Sequence, residues 1–415
     1  MSQVQDPLPL DFLPRRAQGG RLDLLQGVRV LDLTTSLAGP YGTMLLADFG
    51  AEVIKVERPG RGDDSRHWKP PTHAGHALWY LSVNRNKRSV TLDIAQEAGY
   101  GVLCQLIRQC DVLVTNQLPA VLRKLRIDYE TVRAVRPDLI YVSLTGFGLS
   151  GARQDDPCYD LIAEGYSGVM DLTGEADDAP QKVGTPAADL LAGADAAMGC
   201  MAALMGRART GAGQLVEISL VDSMTRFLTP RIVSYLGSGI VPRRSGAKDS
   251  VIAVYQVFST ADEPMTLALA NDAIWQRFCQ AVQRPDWARD ATLQSNGGRV
   301  AQRAELVQQI QALLSTQTRG HWLRLFGEHR VPAGPINRVD QIARDPELLD
   351  RGLFYAMDAG ADAIPQVGLG IRFDGEAPGF DRVPPELGAD TEAVLREVIG
   401  METPDVDALR RKGVI

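Results

Sequence analysis

Histidine and cysteine are scarce in this chain, five of each in 415 residues. His67, His73, His76, His321 and His329 show no ligand-like spacing, and there is no H-E-x-x-H. A metal centre is therefore not expected. Cys104, Cys110, Cys158, Cys200 and Cys279 are odd in number and form no C-x-x-C pair, which argues for reduced thiols in the cytoplasm, not a disulfide frame. Positive charge is also short. Lys and Arg total 44 against 51 Asp and Glu, a net charge of −7. Such a chain lacks the basic face that neutralises a phosphodiester backbone, so no nucleic-acid partner is expected. A local basic pocket for one phosphorylated ligand stays open. The longest apolar stretch, Ala187 to Met205, is interrupted by Asp189 and Asp195. It reads as a core helix, and no membrane partner is expected. The opening MSQVQDPLPLDFLPRR has no basic segment followed by an apolar one, so it is not read as a signal peptide. Its Pro and polar content reads as an extension lying outside the core.

What is present is an ordinary soluble composition, 45% apolar and 23% charged, in a chain long enough for two domains. VRVLDL, AEVIKVE, SVTLDI, DVLVTN and LIYVSLTGFG are short β-branched or Leu-rich runs suited to buried strands. Between them AGPYGTMLLADFG, GVLCQLIRQC and AVLRKL read as helices. This alternation predicts an α/β domain with a doubly wound, mostly parallel sheet. After TGAGQLVEISLVDS the pattern changes. VIAVYQVFSTADEPMTLALAND reads as a strand pair, IWQRFCQAV and AELVQQIQALLSTQTRGHWLRLFGEH as helices, and VPAGPINRV as a Pro/Gly linker. The expected division is an N-terminal extension (1–25), a large domain (26–227), a smaller α+β domain (228–335), and a linker with a tail returning to the large domain (336–415).

A doubly wound sheet invites a dinucleotide, whose fingerprint G-x-G-x-x-G belongs on the first strand-to-helix turn. That turn here is LTTSLAGPYGTM. Gly39 and Gly42 have the wrong spacing and Pro40 interrupts. G-x-x-x-x-G-K-[ST] and G-x-S-x-G are missing too. With no metal, His or Cys machinery in evidence, a carboxylate becomes a candidate nucleophile. Asp189 stands out, at the head of the Ala, Leu and Gly run TPAADLLAGADAAMG. An Asp in such surroundings must be hydrogen-bonded, paired or used in chemistry. Capping a helix N-terminus is the structural alternative, and a helix dipole there would favour the ionised form.

The motifs VLDLTTSLAGPYGTMLLADFGAEVIKVERPGRGDDSRHW, LSVNRNKRSVTLDI, PCYDLIAEGYSGVMDLTGE and AADLLAGADAAMG follow one another in order. In this the chain resembles the family III CoA transferases, from about Gly27 to the C-terminus. That family includes formyl-CoA transferase, carnitine CoA transferase and the 2-methylacyl-CoA racemases. ERPGRGDDSRHWKPP and YLSVNRNKRS bring it nearest the succinyl-CoA:glutarate type. The resemblance implies transfer of CoA from an acyl-CoA, succinyl-CoA in that type, to a free carboxylic acid, often a dicarboxylic one, with a CoA thioester as substrate and no prosthetic group. It implies an interlocked homodimer and assigns Asp189 as the nucleophile. Tyr159 and Asp160 occupy the place of the racemases' His-Asp pair, a departure that disfavours racemisation. Leu37, Ala38, Arg58, Leu92, Asn116 and Lys124 match CoA-contacting positions, with Lys87 and Arg88 as nearby candidates. Formyl-CoA transferase has Gln where Leu37 stands and Lys where Ala95 stands. Its glycine-rich closing loop corresponds to RRSGAKDSVIAVY, which offers only Gly246. Arg243, Arg244 and Lys248 there are candidates to attract an acidic acceptor. The alternatives are an acyl-CoA racemase or isomerase, or a non-catalytic CoA- or nucleotide-binding protein.

Overall fold

The computed structural model describes residues 9–359 and 362–415. The chain divides into two compact units. The first takes in the chain to Ser167, Val183–Thr229 and Ala343–Ile415; the second comprises Gly168–Lys182 and Pro230–Ile342.

The first unit is built on six strands: β1 (Arg29–Asp32), β2 (Glu52–Glu57), β3 (Lys87–Thr91), β4 (Val112–Thr115), β5 (Ile140–Thr145) and β6 (Gln214–Ser219). Every pairing among them is parallel, and their order across the sheet is β3-β2-β1-β4-β5-β6. All six residues of β5 are buried, the signature of a strand covered on both faces. One face packs on α2 (Glu97–Gln109) and on two C-terminal helices, Thr391–Ile399 and Thr403–Arg411, through Leu103, Leu106, Val394, Leu395 and Val406. The tail thus closes the core opened by the first strands.

Elsewhere in this unit α1 (Ala38–Asp48) lies against a 24-residue helix, Ala187–Thr210. Preceding the latter is α3 (Asp160–Ser167); the long helix is α4, and α5 (Leu220–Phe227) follows β6. Two glycines set the approach of α1 to α4. A Cβ on Gly42 would stand 2.7 Å from the Gly193 carbonyl oxygen, and one on Gly193 would stand 2.5 Å from that of Ala38. Any side chain at either position would drive the helices apart. In length and apolarity α4 matches a membrane span, yet Ala188, Ala192, Ala196, Ala197, Cys200 and Ala203 make it a core helix.

Two expectations change here. The N-terminal segment does not lie wholly outside the core: Leu13 is buried and Arg15–Arg16 pair in parallel with a strand at Phe354–Ala359. VPAGPINRV is not all linker either. Its Ala333–Pro335 pairs antiparallel with Met265–Leu267, and proline is tolerated because this is an edge strand.

The second unit holds that three-stranded sheet, Tyr255–Phe258, Met265–Ala268 and Ala333–Pro335, packed on helices through Trp275, Phe278, Trp287, Trp322 and Phe326. Residues 168–182 join it, although the linear reading put them in the large domain. Their link is polar: Gly246 N–H donates to the Gly174 carbonyl at 2.9 Å and Arg244 meets Asp171 at 2.9 Å. Hydrophobic periodicity carries no trace of such a contact.

Candidate active site

The strand order reverses between β1 and β4. In an open parallel sheet, the crevice at the carboxyl ends of the strands on either side of such a point is the natural ligand site. Asn116, just past β4, clamps the two sides together. Its side-chain oxygen accepts from Thr35 N–H at 3.0 Å and its amide nitrogen donates to the Thr35 carbonyl at 2.7 Å. A cavity of about 290 Å³ opens here. Thr35, Ser36, Leu37, Ala38, Asp64, Asn116, Cys158, Tyr159 and Asp189 are among its lining residues.

Asp189 reaches this cavity because it lies in the first turn of α4, whose N-cap is Pro186 and offers no side-chain acceptor. The helix is capped from outside. The Asp160 carboxylate accepts from Ala188 N–H at 2.9 Å and from Asp189 N–H at 3.4 Å. The helix terminus therefore spends its donors on Asp160. Among the described residues no hydrogen bond reaches the Asp189 carboxylate. Burial lifts its pKa from 3.8 to about 7, and the negative charge of Asp160 adds to the rise. Desolvation and the Asp160 charge thus work against the ionised form that the helix terminus was expected to favour.

Cys158 shares the cavity, and sequence reasoning gave it no role. Burial, then the charges of Asp189 and Asp160, push its thiol up to about 11. Held protonated, it adds a neutral side chain to the wall. Tyr159 lines the same cavity and is 65% exposed.

Of the positions matched to CoA contacts, Leu37, Ala38 and Asn116 line this cavity, while Arg58, Leu92 and Lys124 do not. Arg58 and Leu92 follow the carboxyl ends of β2 and β3. Arg58 is exposed, but Leu92 is 1% exposed within the core. The Leu92 side chain has no surface to offer a ligand. Lys124 is exposed at the end of the helix Pro119–Lys124. Lys87 is buried against Asp32 at 3.1 Å, and Arg88 is paired with Glu52 and Glu397, so neither is a free cation. No Lys, Arg or His is among the described lining residues, whose charged members are Asp64 and Asp189. In the second unit, Arg244 is engaged by Asp171 and Arg243 lies 3.6 Å from the same carboxylate. A Cβ on Gly246 would stand 2.2 Å from the Glu175 carboxylate.

Comparison with known proteins agrees with this geometry. The model of CoA-transferase family III matches residues 25–391. Succinyl-CoA:glutarate CoA-transferase of Mus musculus is 36% identical over 394 residues, 94% of this chain and 90% of that protein. Succinyl-CoA:mesaconate CoA-transferase of Haloarcula hispanica is 40% identical over 347 residues, 81% of this chain and 87% of that protein. Among solved structures, a CAIB/BAIF family protein from Brucella suis superimposes with a TM-score of 0.79 at 35% identity, covering 90% of this chain and 99% of that one. A match across nearly the whole chain, together with a carboxylate at the switch-point cavity, gives the conclusion that this chain belongs to CoA-transferase family III and is an enzyme that exchanges coenzyme A between acyl-CoA thioesters and free acids.

Proposed function

We propose that this enzyme moves coenzyme A from succinyl-CoA to a second dicarboxylic acid through covalent intermediates on Asp189. The observation that carries the reading is the placement of Asp189 in a small cavity with its pKa raised to about 7. A carboxylate is normally a far weaker base than a thiolate, so displacing CoA from a thioester is uphill. Burial brings this carboxylate within about two pH units of a thiol's ordinary 8.5, which narrows that gap.

An Asp189 oxygen attacks the thioester carbonyl, the C–S bond breaks, and CoA thiolate leaves an acyl–aspartyl anhydride. The thiolate attacks the aspartyl carbonyl, expels the donor acid and leaves an aspartyl–CoA thioester. The acceptor carboxylate attacks that thioester, and the steps reverse to release the new acyl-CoA. Proximity holds the thiolate for its return. Main-chain N–H groups at the uncapped start of α1, where Leu37 and Ala38 line the cavity, are the candidate oxyanion donors. Asp160 positions Asp189 through the capped helix turn. The cavity's small volume and lack of cations suit the thioester end of CoA. Exposed Arg58 and Lys124 remain candidates for its phosphates.

We assign the enzyme to the reducing cytoplasm, consistent with five free cysteines, and to a homodimer. The helix Thr229–Ser238 has no buried residue and exposes Val233 and Leu236, an apolar surface that a second copy would cover.

The test is succinyl-CoA exchange against a panel of dicarboxylates with the wild type and Asp189→Ala. The expected result is loss of at least about a thousandfold in kcat in the variant, and hydroxylamine modification of Asp189 in wild type only. Retained exchange in Asp189→Ala overturns the reading. Solvent deuterium entering the substrate α-carbon without exchange points to a racemase instead.

A further inference from the structure

The loop between β1 and α1 forms one wall of the cavity, through Thr35, Ser36, Leu37 and Ala38. From Thr34 to Ser36 its backbone is held by side chains, those of Asn116, Asp63 and Lys55 coming from distant parts of the chain. Thr34 N–H donates to Asp32 at 2.9 Å, Thr35 N–H to Asn116 at 3.0 Å, and Ser36 N–H to Asp63 at 3.0 Å. Lys55 Nζ donates to the Thr34 carbonyl at 2.8 Å and lies 2.7 Å from Asp63. Both members of that pair have fully buried side chains. These N–H groups are therefore not free to cradle a phosphate, as they are in a glycine-rich nucleotide loop.

Ser36 has φ +70°, a left-handed conformation that costs a residue with a side chain and persists only where surroundings enforce it. The enforcing group is Asp63. The same carboxylate accepts from Ser65 N–H and Ser65 Oγ, each at 2.8 Å. It thereby caps the turn Asp64–His67, whose Asp64 lines the cavity. One buried carboxylate fixes two walls at once, and burying it demands a counter-charge, which Lys55 supplies.

We propose that the Lys55–Asp63 pair is a positioning device that holds the Thr34–Ala38 loop and the Asp64 turn in the shape that receives the CoA thioester. This rests on the reading that the cavity takes that thioester. Neither residue touches substrate; both act through Ser36 and Thr34. Nothing in the transfer chemistry requires them, so they bear on CoA affinity more than on the acid.

The experiment replaces the pair with apolar side chains, Lys55→Met with Asp63→Leu, to avoid leaving one buried charge alone. Two loop variants accompany it. Ser36→Val disfavours the left-handed conformation, and Ser36→Gly accepts it. The expected result is a rise of about tenfold or more in KM for the CoA thioester in the double variant and in Ser36→Val. KM for the free acid stays within twofold, and Ser36→Gly, which loses the same side chain but keeps the left-handed backbone, raises KM for the thioester less than Ser36→Val does. A folded double variant with wild-type KM for the thioester overturns the proposal. Should the double variant not fold, a wild-type KM in Ser36→Val does so. If wild type itself exchanges no CoA, the transfer reading fails first; if it exchanges and the variants keep their affinity, the failure belongs to the positioning device.

Discussion

Asp189→Asn makes the half-buried carboxylate permanently neutral while keeping its shape. In the folded chain burial raises the pKa of Asp189 from 3.8 to about 7. Between those values the folded protein keeps a proton that the unfolded chain has released. The stability this group contributes is whole below about pH 4 and is lost as pH climbs through 7. Asn has no proton to lose. The variant should therefore match wild type in acid and surpass it in base. At about 1.4 kcal/mol per pH unit, the full interval is worth about 4 kcal/mol. Water at the cavity mouth screens the charge, so roughly half, about 2 kcal/mol, is the expected gain. Guanidinium unfolding of both proteins at pH 4.5, 6, 7 and 8.5 measures it. A gap that widens with pH supports the desolvated carboxylate. A gap constant across the series, or one that narrows, refutes it, whatever the activity of the variant.

If Asp189 attacks the thioester as proposed, it should set an acid limb near pH 7 in kcat/KM for the thioester, because it must do so as the carboxylate. Asp160→Asn keeps an oxygen for the Ala188 N–H but removes the neighbouring charge, so that limb should move to lower pH; an unmoved or raised limb in the pH–rate profile contradicts the electrostatic account. Gly193→Ala places a methyl against the Ala38 carbonyl, and a loss of about 1–3 kcal/mol in unfolding free energy is expected with lowered exchange activity. Wild-type melting and turnover in that variant would show that the helix approach does not position Asp189. Cys158 should react slowly with iodoacetamide at pH 8 and faster in Asp189→Asn, because burial and the two carboxylates keep its thiol protonated. Mass spectrometry of the labelled peptide decides, and rapid labelling of wild type counts against this picture.

Alternation of buried-strand runs with amphipathic stretches was enough to place five of the six strands of the large sheet, because those five are largely buried and sit between recognisable helices; the edge strand Gln214–Ser219, with Gln214 and Glu217 exposed, was read only as the place where the pattern changes. Asp189 was legible too, as a carboxylate misplaced in an Ala/Gly helix. The strand Ala333–Pro335 was not, because its three residues carry no β propensity and only Met265–Leu267 gives them a partner. Nor did any spacing announce Lys55 and Asp63. Their significance depends on the backbone of Ser36, 27 residues before Asp63.

Sequence alone thus determined the elements, the strand-rich and helix-rich regions, and the residue type available for chemistry, since those follow from local periodicity and composition. Only the tertiary structure decided that the first N–H groups of α4 serve Asp160 and not Asp189, that the side chains of Leu92 and Lys87 are buried, and that burial pushes the Asp189 carboxyl up to about 7. Those outcomes are set by desolvation and by neighbours brought from distant parts of the chain, and a one-dimensional pattern contains neither.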